Sequence, residues 1–185
     1  TGAGITLVDM KLNVVNYTGA AAAAATLPAA VEGSVCVYVQ SKETAGGTAT
    51  LTFNAPIING AGADFAVFEN SFNNSFLELA FVEVSSDGIT FFRFNAISLT
   101  DTSIQLDNNA IMDATNIYNL AGKYRAQYGT PFDLDELAGT PGLDINNITH
   151  IKIIDVVGSI NPLYATFDSQ NSPINDPWPT GFGSS

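Results

Sequence analysis

The chain has 185 residues, of which 46% are hydrophobic and only 13% are charged, so it can bury the core of one domain and is too apolar to be a disordered tail. Eighteen acidic residues against six basic ones give a net charge of −12. Because such a surface repels phosphates and anionic lipids and attracts cations, a nucleic-acid partner is excluded.

Apolar and polar residues alternate with a period of two over residues 5–17, which predicts one long strand near the start of the chain. The same alternation, or a β-branched run, predicts further strands at residues 34–40, 48–57, 64–70, 77–86, 89–99 and 149–158. Asp87-Gly88 predicts the turn of a hairpin between two of these strands. We therefore predict a single all-β domain over residues 1–185, a β-sandwich or jelly roll.

The predicted strands are joined by long loops that are rich in Asn, Asp, Gly and Pro, notably 101–148 and 159–185. Within the first loop, residues 133–139 predict a single helical turn. The Ala-rich stretch 20–25 predicts a short helix, which Pro28 ends early. Long loops in a compact domain usually carry function, or a metal holds them in place.

The sequence offers few residues for catalysis. His150 is the only histidine and Cys36 the only cysteine, so neither a zinc site of imidazoles or thiolates nor an intrachain disulfide can form. A glycosidase needs two carboxyl groups that face one cleft, roughly 5 to 9.5 Å apart. Glu69, Glu78 and Glu83 keep a glycoside hydrolase open as a minor alternative. We predict a protein without enzymatic activity.

Asp64 and Glu69 flank the apolar run 65–68, and a strand there turns their side chains to opposite faces. Glu69 shares its face with Phe65 and Val67, which are expected to point inward. A buried carboxylate needs a metal, a cation or several donors. Because Lys and Arg are few, a metal is one explanation, and calcium prefers oxygen ligands of this kind. The alternative is that Glu69 accepts backbone N–H groups at the end of its strand.

Other acidic residues extend the predicted calcium site. Asp155 closes an apolar strand, and Asp168 and Asp176 lie in a late loop with several Asn residues. The group 133–136 is a weaker candidate that also fits the start of a helical turn. The predicted metal ligands are therefore Asp64, Glu69, Asp155, Asp168 and Asp176.

Several blocks of the sequence resemble, in the same order, an uncharacterised family of secreted bacterial cell-surface proteins; they read "GADFAVFENSF", "ELAFVEVSSDGITFFRF", "NLAGKYRAQYGTPFDLDEL", "ITHIKIIDVVGS" and "INDPWPTGF". The resemblance covers about residues 50–182. It implies an exported β-sandwich with no established activity. It also implies that recurrent acidic positions of the family are occupied here by Asp64, Glu69, Glu78, Asp155 and Asp176.

The chain departs from the family pattern at both ends. It stops at Ser185, before a further strand of the family, and it starts with the segment 5–17 ahead of the family's usual opening. A sandwich that lacks its last strand exposes an edge that can pair with another chain.

The alternation within residues 5–14 fits strand addition to a neighbouring copy, and head-to-tail donation does not close on itself. We therefore predict that the N-terminal segment 1–17 donates a strand. The protein would then assemble with itself into a filament or surface layer, by donor-strand complementation and braced by calcium. The alternative is that this segment pairs within its own chain.

A second functional hypothesis is a carbohydrate-binding module of a surface adhesin, with stacking on surface glycans by Tyr118, Tyr124, Tyr128 and Trp178. The composition, with few Lys and many Asn, Thr, Ser and Gly, is typical of an exported protein. The chain shows no signal peptide and no run near the ~18 apolar residues of a membrane span. We therefore predict a mature, extracellular protein without a membrane span.

Overall fold

The computed structural model describes residues 3–8, 12–18, 34–39, 47–69, 71, 73–75, 77–177 and 179, the first three ranges through their backbone pairing alone. The described residues are mostly in strands and loops. The strands are β1 (Ala3–Val8), β2 (Leu12–Thr18), β3 (Ser34–Val39), β4 (Thr48–Ile57), β5 (Phe65–Glu69), β6 (Ala80–Ser85), β7 (Phe92–Arg93), β8 (Ile97–Ser98), β9 (Ile117–Tyr118), β10 (Leu120–Ala121), β11 (Thr130–Phe132) and β12 (Ile148–Asp155). Two single 3-10 turns cover Ala114–Asn116 and Leu134–Leu137.

The strands form two main sheets, and every pairing among the described strands is antiparallel. The smaller sheet has the order β11-β5-β1-β3. The larger sheet has the order β10-β6-β12-β4-β2, and β7 also pairs with β6. Strands β8 and β9 make a separate two-stranded ribbon. The all-β prediction is confirmed at this level.

One hydrophobic core is shared by both sheets. The smaller sheet contributes Val67 and Phe132, and the larger sheet contributes residues such as Leu51 and Val82. Phe132 packs against Phe65 and Phe94, with ring centroids 5.3 and 5.0 Å apart. Burial of these aromatic rings contributes to the stability of this core.

A second hydrophobic core lies on the other side of β6. Successive residues of β6 alternate between the two cores, so Val82 and Val84 belong to the first and Phe81 to the second. The long loops cover Phe81 with buried side chains that include Met112, Ile117, Val156 and Ile174. The loops predicted as irregular therefore form a packed layer with a hydrophobic core of its own. This packing accounts for the presence of such long loops in a compact domain.

Two side-chain amides join the loops of this layer. Asn175 is fully buried; its Nδ2 donates to the carbonyls of Asp101 (2.6 Å) and Ile104 (2.8 Å). Gln105 Nε2 donates to Gly158 O at 2.9 Å, and Gln105 Oε1 accepts from the backbone N–H of Ile160 at 2.9 Å. These bonds satisfy backbone groups that lie outside the strands.

Some local predictions need correction. The single strand predicted at residues 5–17 is wrong, because β1 and β2 lie in different sheets. The strand predicted at 89–99 is also interrupted: β7 has 2 residues, and Phe94 then enters the first core. Gly88 has φ +74°, as the predicted turn requires. The helical turn predicted at 133–139 is confirmed by the 3-10 turn Leu134–Leu137. The short helix predicted at 20–25 lies outside the described residues.

Candidate functional site

Four carboxyl groups gather where β5 ends, β6 begins and β12 ends; we call Glu69, Glu78, Asp155 and Asp176 the carboxylate cluster. Burial, with the negative charges of Asp155, Asp176 and Glu69, raises the pKa of Glu78 to about 8. Glu69 and Asp176 are buried, with 4% and 0% of their surfaces exposed. Three of the predicted metal ligands, Glu69, Asp155 and Asp176, therefore lie near enough to Glu78 to act on its charge.

Backbone contacts fix the cluster in place. Asp155 lies opposite Ala80 in the pairing of β12 with β6, and Val156 donates its N–H to Leu79 O at 3.1 Å. Asp176 Oδ2 accepts from the backbone N–H of Leu79 at 3.4 Å. Glu69 Oε2 accepts from the backbone N–H of Ser71 at 2.6 Å. Glu69 thus accepts an N–H group at the end of its strand, as the alternative interpretation of its sequence predicts.

Gly158 makes room for Asp176. A Cβ on Gly158 would lie 1.8 Å from Asp176 Oδ1, which is far inside contact distance. Gly158 O also accepts the backbone N–H of Asp176 at 3.3 Å. The position of a buried carboxylate therefore depends on a residue without a side chain.

The other two predicted metal ligands do not join this cluster. Asp64 accepts backbone N–H groups from Gly60 (2.7 Å) and Leu134 (2.8 Å), so it ties a loop to the second 3-10 turn. Asp168 is buried and accepts the backbone N–H of Ser98 at 3.0 Å and that of Ser172 at 2.9 Å. Both carboxylates have donors that explain their placement without an ion.

Within the described ranges, no group of three or more His, Cys, Asp or Glu side chains is arranged to hold a metal ion. A calcium ion at the carboxylate cluster therefore needs the side chains to move, or needs oxygen ligands from the backbone or amides in addition. The calcium site stays a prediction.

Glu83 and His150, two other residues considered for catalysis, have structural partners. Glu83 bridges Arg93 and Lys152 at 2.9 and 3.3 Å. His150 Nδ1 lies 2.8 Å from Thr149 Oγ1, and its ring packs edge-on against Phe91. Lys152 also lies over the ring of Phe91, as expected for side chains on one face of a strand.

A cavity of about 330 Å³ opens beside the second 3-10 turn; we call it the tyrosine cavity, and its lining is Ala63, Tyr118, Asn119, Lys123, Tyr124, Thr130, Pro131, Asp133 and Glu136. Two of the four aromatic residues proposed for sugar stacking, Tyr118 and Tyr124, lie on its wall. Tyr128 is exposed outside it, and Trp178 lies outside the described residues. The cavity is of the size that binds small ligands.

Local backbone geometry builds the wall of this cavity. Asn119 separates β9 from β10 and has φ +51°, which Asn tolerates better than most residues. Its side chain donates to Asn95 O at 3.1 Å and to Glu136. Asp133 caps the second 3-10 turn by accepting the N–H of Asp135. Sequence analysis could not assemble this site, because its residues come from separate loops and short strands.

Comparison with family models, with curated proteins and with solved structures found no match to this chain. The helices in the described part of the chain are single turns, and none is long and apolar enough to cross a membrane.

Proposed function

We propose that the protein is a non-enzymatic structural protein of the cell surface: it is secreted, folds as a β-sandwich, and assembles with copies of itself into a filament or layer by strand exchange. The position of β1 carries this proposal. The first strand of the chain is an inner strand of its sheet, between β5 and β3, and both neighbours come from later in the sequence.

The register of β1 suits exchange between copies. Residues 3–8 pair with residues 34–39 on one side, and residues 5–7 pair with residues 67–69 on the other. The same strand from a second copy can make the same pairs, so exchange needs no new interface. The balance between one chain and a polymer then depends on concentration and on the connection that follows the strand.

The consequence of removing β1 favours assembly. Without it, β5 keeps only β11 as a hydrogen-bonded partner, and β3 has no hydrogen-bonded partner among the described strands. Open sheet edges of this kind bind strands of other chains. Because donation runs from the start of one copy to the sheet of the next, the chain of contacts does not close, and the product is a filament.

We further propose that calcium braces the assembled form at the carboxylate cluster. Burial, and then the negative charges of Asp155, Asp176 and Glu69, raise the pKa of Glu78. A divalent cation would offset the repulsion among these groups. The net charge of −12 also makes cations the expected counterions between copies. Asp64 and Asp168 lie outside this cluster, and their side chains support the loops by accepting backbone N–H groups of other residues.

A cross-linking experiment separates exchange from pairing within one chain. Thr6 lies opposite Cys36 in the pairing of β1 with β3, and facing residues of antiparallel strands are close enough for a disulfide. In a Thr6→Cys variant, mild oxidation links β1 to whichever β3 it pairs with. Exchange predicts a ladder of covalent oligomers on a non-reducing gel, whereas pairing within the chain predicts a faster-migrating monomer.

The controls are the wild type, which has a single cysteine, and Thr6→Cys combined with Cys36→Ser. Both keep one thiol, so neither can extend past a dimer. Light scattering of the wild type at high concentration, with calcium and then with chelator, gives the size of the assembly and its dependence on the ion. Monomers in both conditions, together with an internal disulfide in the variant, would end the assembly proposal.

A further inference from the structure

We propose that the tyrosine cavity is a binding site for a neutral sugar, such as the terminal residue of a glycan. This inference does not depend on strand exchange, because the residues of the cavity lie outside β1 and its pairing partners. It rests on the cavity's aromatic wall, its carboxylate acceptors and its charge.

The lining of the cavity includes exposed aromatic surface of the kind that binds sugar rings. Tyr118 keeps 50% of its surface exposed, although it lines a concave site. Tyr124 lies on the same wall. Exposed aromatic faces in a cavity bind the apolar face of a sugar ring by stacking, and their hydroxyl groups remain available for hydrogen bonds.

Lys123 holds the two tyrosines in position. Its ammonium donates to the backbone carbonyl of Ile117 at 2.7 Å. The same ammonium lies 5.1 Å from the ring centroid of Tyr124 and 6.0 Å from that of Tyr118, within range of cation–π attraction. Because these contacts already order the wall, a ligand loses less entropy on binding than it would at a mobile surface.

Polar groups around the wall are available to hydroxyl groups of a ligand. Thr130 also lines the cavity, but its hydroxyl is buried and is therefore not open to a ligand. Asp133 uses one oxygen to cap its turn, and Glu136 receives the amide of Asn119, so each carboxylate keeps a second oxygen as an acceptor.

The charge of the cavity selects neutral sugars over acidic ones. Asp133 and Glu136 outnumber Lys123, and the ammonium of Lys123 is already bound to a backbone carbonyl. A uronic acid would bring a third carboxylate into a site on a protein of net charge −12. Repulsion between like charges in a partly buried site costs affinity.

Saturation-transfer NMR on the full chain tests this site, with the methyl glycosides of glucose, galactose, mannose and N-acetylglucosamine at millimolar concentration, and methyl glucuronide as the acidic counterpart. We expect saturation transfer to at least one neutral glycoside and a clearly weaker signal from the glucuronide. Tyr118→Ala should weaken the affinity for the bound glycoside about 2- to 10-fold, the range expected for the loss of one stacked ring.

Tyr128→Ala is the matched control, because Tyr128 is 54% exposed and does not line the cavity. The affinity of this variant for the neutral glycoside should equal that of the wild type. Asp133→Asn keeps a capping residue at the turn and removes one negative charge, so it should raise binding of the glucuronide. The proposal is overturned if no neutral glycoside gives a signal with the wild type. Equal losses in the two tyrosine variants, or a glucuronide bound as well as the neutral sugars, would also overturn it.

Discussion

Replacing Glu78 with Gln should change how the stability of the protein depends on pH. In the folded state the pKa of Glu78 is raised from 4.5 to about 8, first by burial and then by the charges of Asp155, Asp176 and Glu69. Between these two values the unfolded chain has lost the proton and the folded chain keeps it. The free energy of unfolding therefore falls by about 1.4 kcal/mol for each pH unit in this interval.

The sign follows from the raised pKa. The stabilisation is fully present below pH 4.5 and is lost as the pH rises to about 8. The loss over the whole interval amounts to about 5 kcal/mol, of which about 3 kcal/mol has occurred by pH 7. Because Glu78 is only half-buried, water screens its charge, and these figures are upper limits.

Urea unfolding followed by far-UV circular dichroism at pH 5, 6, 7 and 8 measures the effect. Glu78→Gln removes the titrating proton, so its stability should exceed that of the wild type at pH 8 and approach it at pH 5. The control is Glu83→Gln, which removes the ion pairs to Arg93 and Lys152 and should lower stability across the range. An equal slope against pH in the wild type and Glu78→Gln would refute the reasoning.

Two further substitutions test local packing by thermal unfolding. Thr130→Val removes a buried hydroxyl that has no partner among the described residues and should raise the stability by about 1 kcal/mol, or the Tm by about 2–4 °C; a lower Tm would show that the hydroxyl has a partner. Gly158→Ala places a Cβ 1.8 Å from Asp176 Oδ1 and should destabilise the fold by about 1–3 kcal/mol. Gly60→Ala, whose Cβ would have ordinary contacts at 3.5 Å, should change little, and equal effects of the two glycine variants would contradict this account.

The alternation of apolar residues predicted β4, β6 and β12 of the larger sheet well. Strand β12 (Ile148–Asp155) starts one residue before the predicted strand 149–158 and ends inside it. Glu69 is buried on the side of Val67, as the period of two requires. These predictions succeed because burial on one face of a strand leaves a direct record in the sequence.

The division of residues 5–17 into two sheets could not be predicted in this way. A period of two says which residues share a face, and it does not say which neighbour a strand pairs with. β1 pairs with residues more than 25 positions away in β3 and more than 55 away in β5. Pairings over such distances are decided by the whole topology.

The two candidate sites show the same limit in different degrees. Acidic residues at strand ends predicted part of the carboxylate cluster, because Glu69 and Asp155 end β5 and β12. Nothing local predicted that Tyr118, Thr130 and Glu136 would line one cavity. Nor could composition show that Asp64 and Asp168 are engaged by backbone N–H groups.

The amide contacts of Gln105 and Asn175 limit where this chain can accept insertions. Surface loops normally tolerate added residues, but Asn175 fixes the spacing of Asp101 and Ile104 through two backbone carbonyls. An extra residue there would break bonds to a fully buried side chain. Gly139, by contrast, is exposed, and although its φ of +76° favours glycine itself, nothing lies within 4 Å of a Cβ built there. We therefore expect an added residue beside Gly139 to be tolerated better than one in the loop layer.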